Sequence, residues 1–172
     1  MLQFIHRCFV RYYLLSVFVV LFDQITKILT QNFVTLYDSR EVLGNFVRYT
    51  YIRNPGMAFG IQIGNKTVFT VFSILASVGI FIYLIKTKGD KKFVRTALSL
   101  ILGGAIGNLI DRVLYSSVVD FIDVGIGTLR WPVFNVADSA VSIGMVILIA
   151  VILFEKKTTE ELPEVSQPES AP

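Results

Sequence analysis

Four runs of mostly apolar residues dominate this chain of 172 residues, over 10–29, 67–85, 93–114 and 134–154. A helix needs ~20 apolar residues to cross a bilayer, and any other single-segment backbone would leave its amide groups without partners there. The runs predict an α-helical integral membrane protein with four transmembrane helices, in one membrane domain over 1–154. Composition agrees, with 53% hydrophobic and 17% charged residues, whereas soluble domains are roughly one-quarter charged. Arg7 and Arg11 flank the start of the first run, like the basic region of a secretory signal peptide. The following Phe22-Asp23-Gln24-Ile25-Thr26-Lys27 offers no small-x-small cleavage site, so a retained span is expected.

Lysine and arginine in short flanks set orientation. Arg7 and Arg11 flank the start of span one, Lys86, Lys88, Lys91, Lys92 and Arg95 crowd the hinge between spans two and three, and Lys156 and Lys157 follow span four. Arg40, Arg48, Arg53, Lys66 and Arg130 are spread over the longer opposite loops. Both termini and the hinge are therefore expected in the cytoplasm. The acidic, proline-containing stretch 155–172 reads as a disordered cytoplasmic tail. On the outer side, Phe46 to Ile52 interleaves polar with apolar residues as a strand does, Asn54-Pro55-Gly56 signals a turn, and a second apolar run covers Met57 to Ile63. The segment 36–64 predicts a small extracytoplasmic β-sheet between spans one and two. Tyr115 to Val133 reads as a short outer connection carrying Asp120 and Asp123.

A lone cysteine, Cys8, excludes an internal disulfide, and a lone histidine, His6, removes His-ligated zinc and Ser-His-Asp chemistry. The net charge of +3 is scattered among apolar runs, so no nucleic-acid footprint is expected. Chemistry falls to carboxylates, amides, hydroxyls or lysine, without metal or cofactor.

Ionisable groups are costly inside a span, about 2.5–3.5 kcal/mol on insertion scales, so those present are informative. Asp23 and Lys27, four apart, share a helix face and can pair, which by itself only makes insertion tolerable. Gly103 and Gly107 make a small-xxx-small step for close helix approach, followed by Asn108, Asp111 and Arg112. Asp120 and Asp138 stand in apolar company at the outer boundaries of adjacent spans, near enough in sequence to meet. Pro132 suits the start of span four, where Asp138 would also serve as a carboxylate on the positive end of the helix. Two close carboxylates in a low dielectric share one proton, so one can act as base toward water and the other as acid. Spacing alone does not separate that reading from a structural one, nor Asp120 from Asp123.

Five boxes, in order between Asp23 and Gly144, resemble those of the lipoprotein signal peptidase family, also called signal peptidase II. They are Asp23-Gln24-Ile25-Thr26-Lys27, Asn54-Pro55-Gly56-Met57-Ala58-Phe59, Gly104 to Arg112, Val118-Val119-Asp120-Phe121-Ile122-Asp123 and Phe134-Asn135-Val136-Ala137-Asp138. The resemblance implies a membrane aspartyl endopeptidase that removes signal peptides from prolipoproteins, just before a diacylglyceryl-modified cysteine. It implies Asp120 and Asp138 as the catalytic pair, and Asp120 over Asp123. Asn54, Gly56, Asn108, Arg112, Asn135 and Ala137 match positions lining the family's substrate site, and Asp23 with Lys27 a supporting pair. In that picture Asn108 and Asn135 offer amide donors to substrate carbonyls, and Arg112 braces Asp111 or meets a lipid phosphate. The implied setting is the bacterial inner membrane, with the active site near the extracytoplasmic face. The implied partners are lipidated prolipoproteins and membrane lipid, and the protein is expected to work as a monomer.

Three other readings use the same residues. A small proton-coupled transporter would relay through Asp23, Lys27, Asp120 and Asp138, but the acids cluster at one face and span two is nearly free of polar groups. A scaffold would explain the glycines but not the aspartates. A Ser–Lys protease would pair Lys27 with Ser116, Ser117 or Ser139, against the acid already beside Lys27.

Overall fold

The face that α1 (Leu2–Phe33) turns inward carries Tyr12, Ser16, Val19, Asp23, Lys27 and Thr30, spaced by three or four residues as one helical face requires. Its opposite face exposes Leu14, Phe18, Leu21, Phe22, Ile25 and Leu29. That is the reverse of a helix packed in water, and it is stable only where the surroundings are apolar. The computed structural model describes residues 2–58, 61–62, 66–87 and 91–160, by backbone alone at 2–9, 57–58, 61–62, 66, 68–69 and 155–160. The side chains of His6 and Cys8, together with Phe59 and the acidic tail from 161 onward, thus lie outside the described residues. The backbone of 155–160 continues the last helix.

Three further helices follow, α2 (Lys66–Lys86), α3 (Lys92–Tyr115) and α4 (Val136–Glu160). Among the described residues, α1 from Val10, α3, and α4 to Phe154 are long and apolar enough to cross a membrane, while the apolar part of α2, Thr70–Lys86, is shorter. The central helix is α3, packed against each of the other three. Glycine lets it be central. A Cβ on Gly103 would lie 2.7 Å from the Val19 Cβ of α1, and one on Gly104 would collide with the Ala137 carbonyl of α4. Leu84, Val94, Leu98 and Leu102 form the apolar centre at the far end of the bundle, with Tyr13, Ile80 and Leu148 around them.

Strands β1 (Ser39–Leu43), β2 (Val47–Asn54), β5 (Val118–Ile126) and β6 (Leu129–Arg130) form one antiparallel sheet in the order β1-β2-β5-β6. A separate two-residue pair joins β3 (Met57–Ala58) to β4 (Ile61–Gln62). The sheet therefore does not arise between the first two helices alone. Half of its strands come from the segment after α3, which reads in the sequence as a plain connection. A two-stranded hairpin is marginal by itself, and pairing β2 with β5 supplies the additional strands it needs. Tyr51, Val119 and Phe121 bury the sheet against Val34 and Val136, at the α1 and α4 ends. Thr30 shares a 2.6 Å hydrogen bond with the Tyr49 hydroxyl, and Arg53 donates to Gln31 at 2.8 Å while its guanidinium lies 4.8 Å over the Tyr115 ring. These contacts fasten the sheet to one end of the bundle.

Candidate active site

At that end, three helices and the sheet turn their polar side chains toward each other. The Lys27 ammonium, 1% exposed, lies 2.8 Å from Asp23 and 3.3 Å from Asp111, and donates to Asn108 Oδ1 at 3.0 Å. Its three protons are all engaged, and none reaches Ser116, Ser117 or Ser139, so the Ser–Lys pairing is not assembled. Asp23 Oδ1 accepts the backbone N–H of Ala137 at 2.9 Å, at the positive end of α4. Asp111 accepts the Val119 N–H of β5 at 3.0 Å and an amide proton of Gln24 at 3.1 Å. One buried lysine and two buried acids thereby hold α1, α3, α4 and β5 in register. Gln24 and Asp111 complete that arrangement, a role that sequence reasoning missed for both. The signal for Asp111 is its place one turn after Asn108 on the same face of α3.

Above this cluster the asparagines distribute their amides. Asn108 Nδ2 donates to Asp138 Oδ1 at 2.7 Å, and Asn135 Nδ2 donates to Asp120 Oδ1 at 2.7 Å, with Asn108 Oδ1 at 3.1 Å and the Val119 carbonyl at 3.2 Å also in reach. Asn54 Nδ2 donates to the second oxygen of Asp120 at 3.0 Å, and Asn54 Oδ1 in turn accepts the Gly56 N–H at 3.0 Å. Gly56 sits at φ +106°, a conformation that side-chain-bearing residues rarely adopt, which explains glycine at the end of this turn. The amides of Asn108 and Asn135, expected to meet substrate carbonyls, are thus committed to the two carboxylates.

Asp138 enters through the start of α4. Asn135 Oδ1 accepts the Asp138 N–H at 2.9 Å, and Asp138 Oδ2 lies 3.3 Å from the Asn135 N–H. This reciprocal pair is a capping box, so the helix begins at Val136 behind an asparagine cap and not at Pro132. Asp138 is both a helix-start carboxylate and a member of the network.

Asp120 and Asp123, three apart on β5, point to opposite sides. Asp123 is ion-paired with Arg130 at 2.7 Å and accepts the Thr50 hydroxyl proton at 2.9 Å. Asp120, 1% exposed, has no cation within ion-pair distance among the described residues. Burial, and next the nearby Asp138 charge, push its carboxyl up to about 7, against the pull of the Asn54 and Asn135 hydrogen bonds. Arg112 does not brace Asp111. Its guanidinium reaches toward the Ser73 hydroxyl of α2 at 3.5 Å, leaving a buried Nε without a partner, and it borders a cavity of about 310 Å³ with Pro55, Gly56, Thr67 and Thr70.

Helices that bury charge inward, and two acids held by amides instead of cations, define a membrane protein with a buried polar network at one end. Comparison with known proteins agrees. Over 94% of both chains, the fold matches a solved structure described as a bacterial membrane enzyme, determined by the in meso method at 2.3 Å, with TM-score 0.78 and 35% identity. A second such structure, at 1.9 Å, matches with TM-score 0.76 and 40% identity over 83% of this chain and 92% of that one. The lipoprotein signal peptidase of Staphylococcus aureus strain MRSA252 is 40% identical over 148 residues, 86% of this chain and 91% of that protein, and its counterpart in strain JH9 is 39% identical over the same length. The family model for signal peptidase (SPase) II matches residues 15–154. The chain belongs to the signal peptidase II family.

Proposed function

We propose that this protein is a membrane-embedded aspartic endopeptidase that removes the signal peptide from prolipoproteins, cleaving just before the diacylglyceryl-modified cysteine. The observation that carries the proposal is the joining of Asp120 and Asp138, from a strand and a helix, through the shared amides of Asn108 and Asn135. In this reading all four helices cross the bacterial cytoplasmic membrane, both termini are cytoplasmic, and the carboxylates lie near the extracytoplasmic face. A lipidated cysteine keeps its peptide bond at that depth while its acyl chains stay in lipid.

Asp120, raised to about 7, holds the proton that the pair shares near neutral pH. Asp138 takes a proton from a water, whose oxygen attacks the scissile carbonyl carbon, and Asp120 gives its proton to the carbonyl oxygen. When the tetrahedral diol collapses, the C–N bond breaks, the departing amine takes the proton that Asp138 received, and a hydroxyl of the diol returns its proton to Asp120 as the carboxylic acid forms. The cavity beside Arg112 suits the substrate segment near the scissile bond, with the free Nε–H of Arg112 available to an oxygen of the ligand. No described feature favours transport. Among the described residues, the inward face of α1 below Asp23 offers Val19, Ser16 and Tyr12, so no carboxylate or amine continues the line there.

The test is cleavage of a diacylglyceryl-modified lipobox peptide by purified protein in detergent, with EDTA present. Asp120→Asn and Asp138→Asn should each lower the rate by about 10²–10⁴-fold with folding intact, the scale of general acid–base catalysis. Robust cleavage by either variant would overturn the two-aspartate mechanism.

A further inference from the structure

The other end of the bundle holds a groove that the peptidase chemistry does not use. Helices α2 and α4 both pack on α3 and barely touch each other, which leaves about 420 Å³ between them. Gly79 and Ile80 of α2 and Leu148 and Val151 of α4 line it, and a Cβ added at Gly79 would meet no atom within 4 Å. The groove opens sideways, since Tyr83 and Ile152 on its walls are both more than half exposed. Lys91, an exposed residue whose side chain has no hydrogen bond or ion pair among the described residues, also lines it. Lys86 and Lys92 are exposed nearby in sequence, and none of the described lining residues is acidic. Lys91 precedes Asn108 by seventeen residues, roughly 25 Å along α3 at 1.5 Å per residue, so this groove is remote from the carboxylates.

An apolar channel of this volume, open to the bilayer and bordered by a cation, is complementary to a molecule with an acyl chain and an anionic head. A neutral lipid leaves the ammonium unused, and a second apolar helix would bury it unpaired. We infer that the groove between α2, α3 and α4 holds one anionic glycerophospholipid, with an acyl chain along the groove and its phosphate on Lys91. The lipid supplies the wall that α2 and α4 do not give each other. This goes beyond the proposed peptidase activity and depends only on the bundle lying in a membrane.

The experiment is native mass spectrometry of the full chain in detergent, titrated with phosphatidylglycerol or phosphatidylcholine of matched chains. Thermal unfolding checks the fold of each variant, so the result does not depend on activity. The wild type should retain one phosphatidylglycerol in preference to phosphatidylcholine. Lys91→Gln should reduce that preference about fivefold, the worth of one lysine near an anionic headgroup. Gly79→Leu, whose side chain has open space to enter, should lose the retained lipid while still folding. Inorganic phosphate should not displace it. Equal retention of the two lipids by the wild type, or unchanged retention by folded Gly79→Leu, would overturn the inference. Displacement by inorganic phosphate would assign a free anion instead, and a wild-type dimer lost in Gly79→Leu would assign the groove to a second copy.

Discussion

A carboxyl group that ionises near neutrality in the folded protein and at 3.8 by its ordinary chemistry makes stability depend on pH. Between those values the folded state binds more protons at Asp120 than the unfolded chain does. Stability from this group is therefore fully present below 3.8, declines as pH rises, and is lost by about 7. Asp120→Asn should flatten the decline, gaining on the wild type by a few kcal/mol between pH 4 and 8, at about 1.4 kcal/mol for every tenfold change in proton affinity between the two states. Thermal unfolding in detergent across that range reads the difference. The cleavage rate should fall on the alkaline side of about 7, as Asp120 loses the proton it donates. At Lys27 the expected effect is larger. Lys27→Met leaves Asp23 and Asp111 buried without their cation, which costs about 3–5 kcal/mol and is measurable as a lowered unfolding temperature. The Asp23–Lys27 pair was legible from its spacing of four. That Lys27 also reaches Asp111 and Asn108 was not, because those partners lie more than eighty residues away and depend on how α1 and α3 pack.

At the scale of elements, the glycines of α3 were legible as a close-approach face, and the structure divides the work between them. Gly103 and Gly107 admit α1, whereas Gly104 admits α4. Gly104→Ala places a methyl group against the Ala137 carbonyl in the first turn of α4, which the capping box fixes only one residue from Asp138. The substitution should cost about 1–3 kcal/mol by overpacking. Cleavage should fall even at temperatures where the protein stays folded, as a temperature series on purified protein will read. The strand β5 was not legible. Alternation marks a strand with one wet face, but the first four residues of β5 are all buried, so the pattern runs apolar with acids inserted and imitates a loop. The start of α4 differs from the Pro132 signal for a related reason. Proline is a local cue, whereas the cap at Asn135 also draws on contacts from α3 and β5.

For the molecule as a whole, Arg53 is one of the side chains that keep the sheet on the bundle. It reaches Gln31 on α1, Tyr51 within the sheet and the Tyr115 ring at the end of α3. Arg53→Ala should raise amide exchange in β1 and β2 by about tenfold, equivalent to ~1.4 kcal/mol, while leaving the helices unchanged. Exchange mass spectrometry resolves the two. The shared amide network also bears on how the protein is made. Helices α1 and α3 can enter the membrane with Lys27 already neutralised by Asp23 and Asp111, yet Asp120 then lacks Asn135 and has no carboxylate partner. Both arrive with α4, which follows the other three described helices in sequence. On the proposed mechanism the chain cannot cleave a peptide until α4 has joined α1 and α3, so activity and this packing step arrive together.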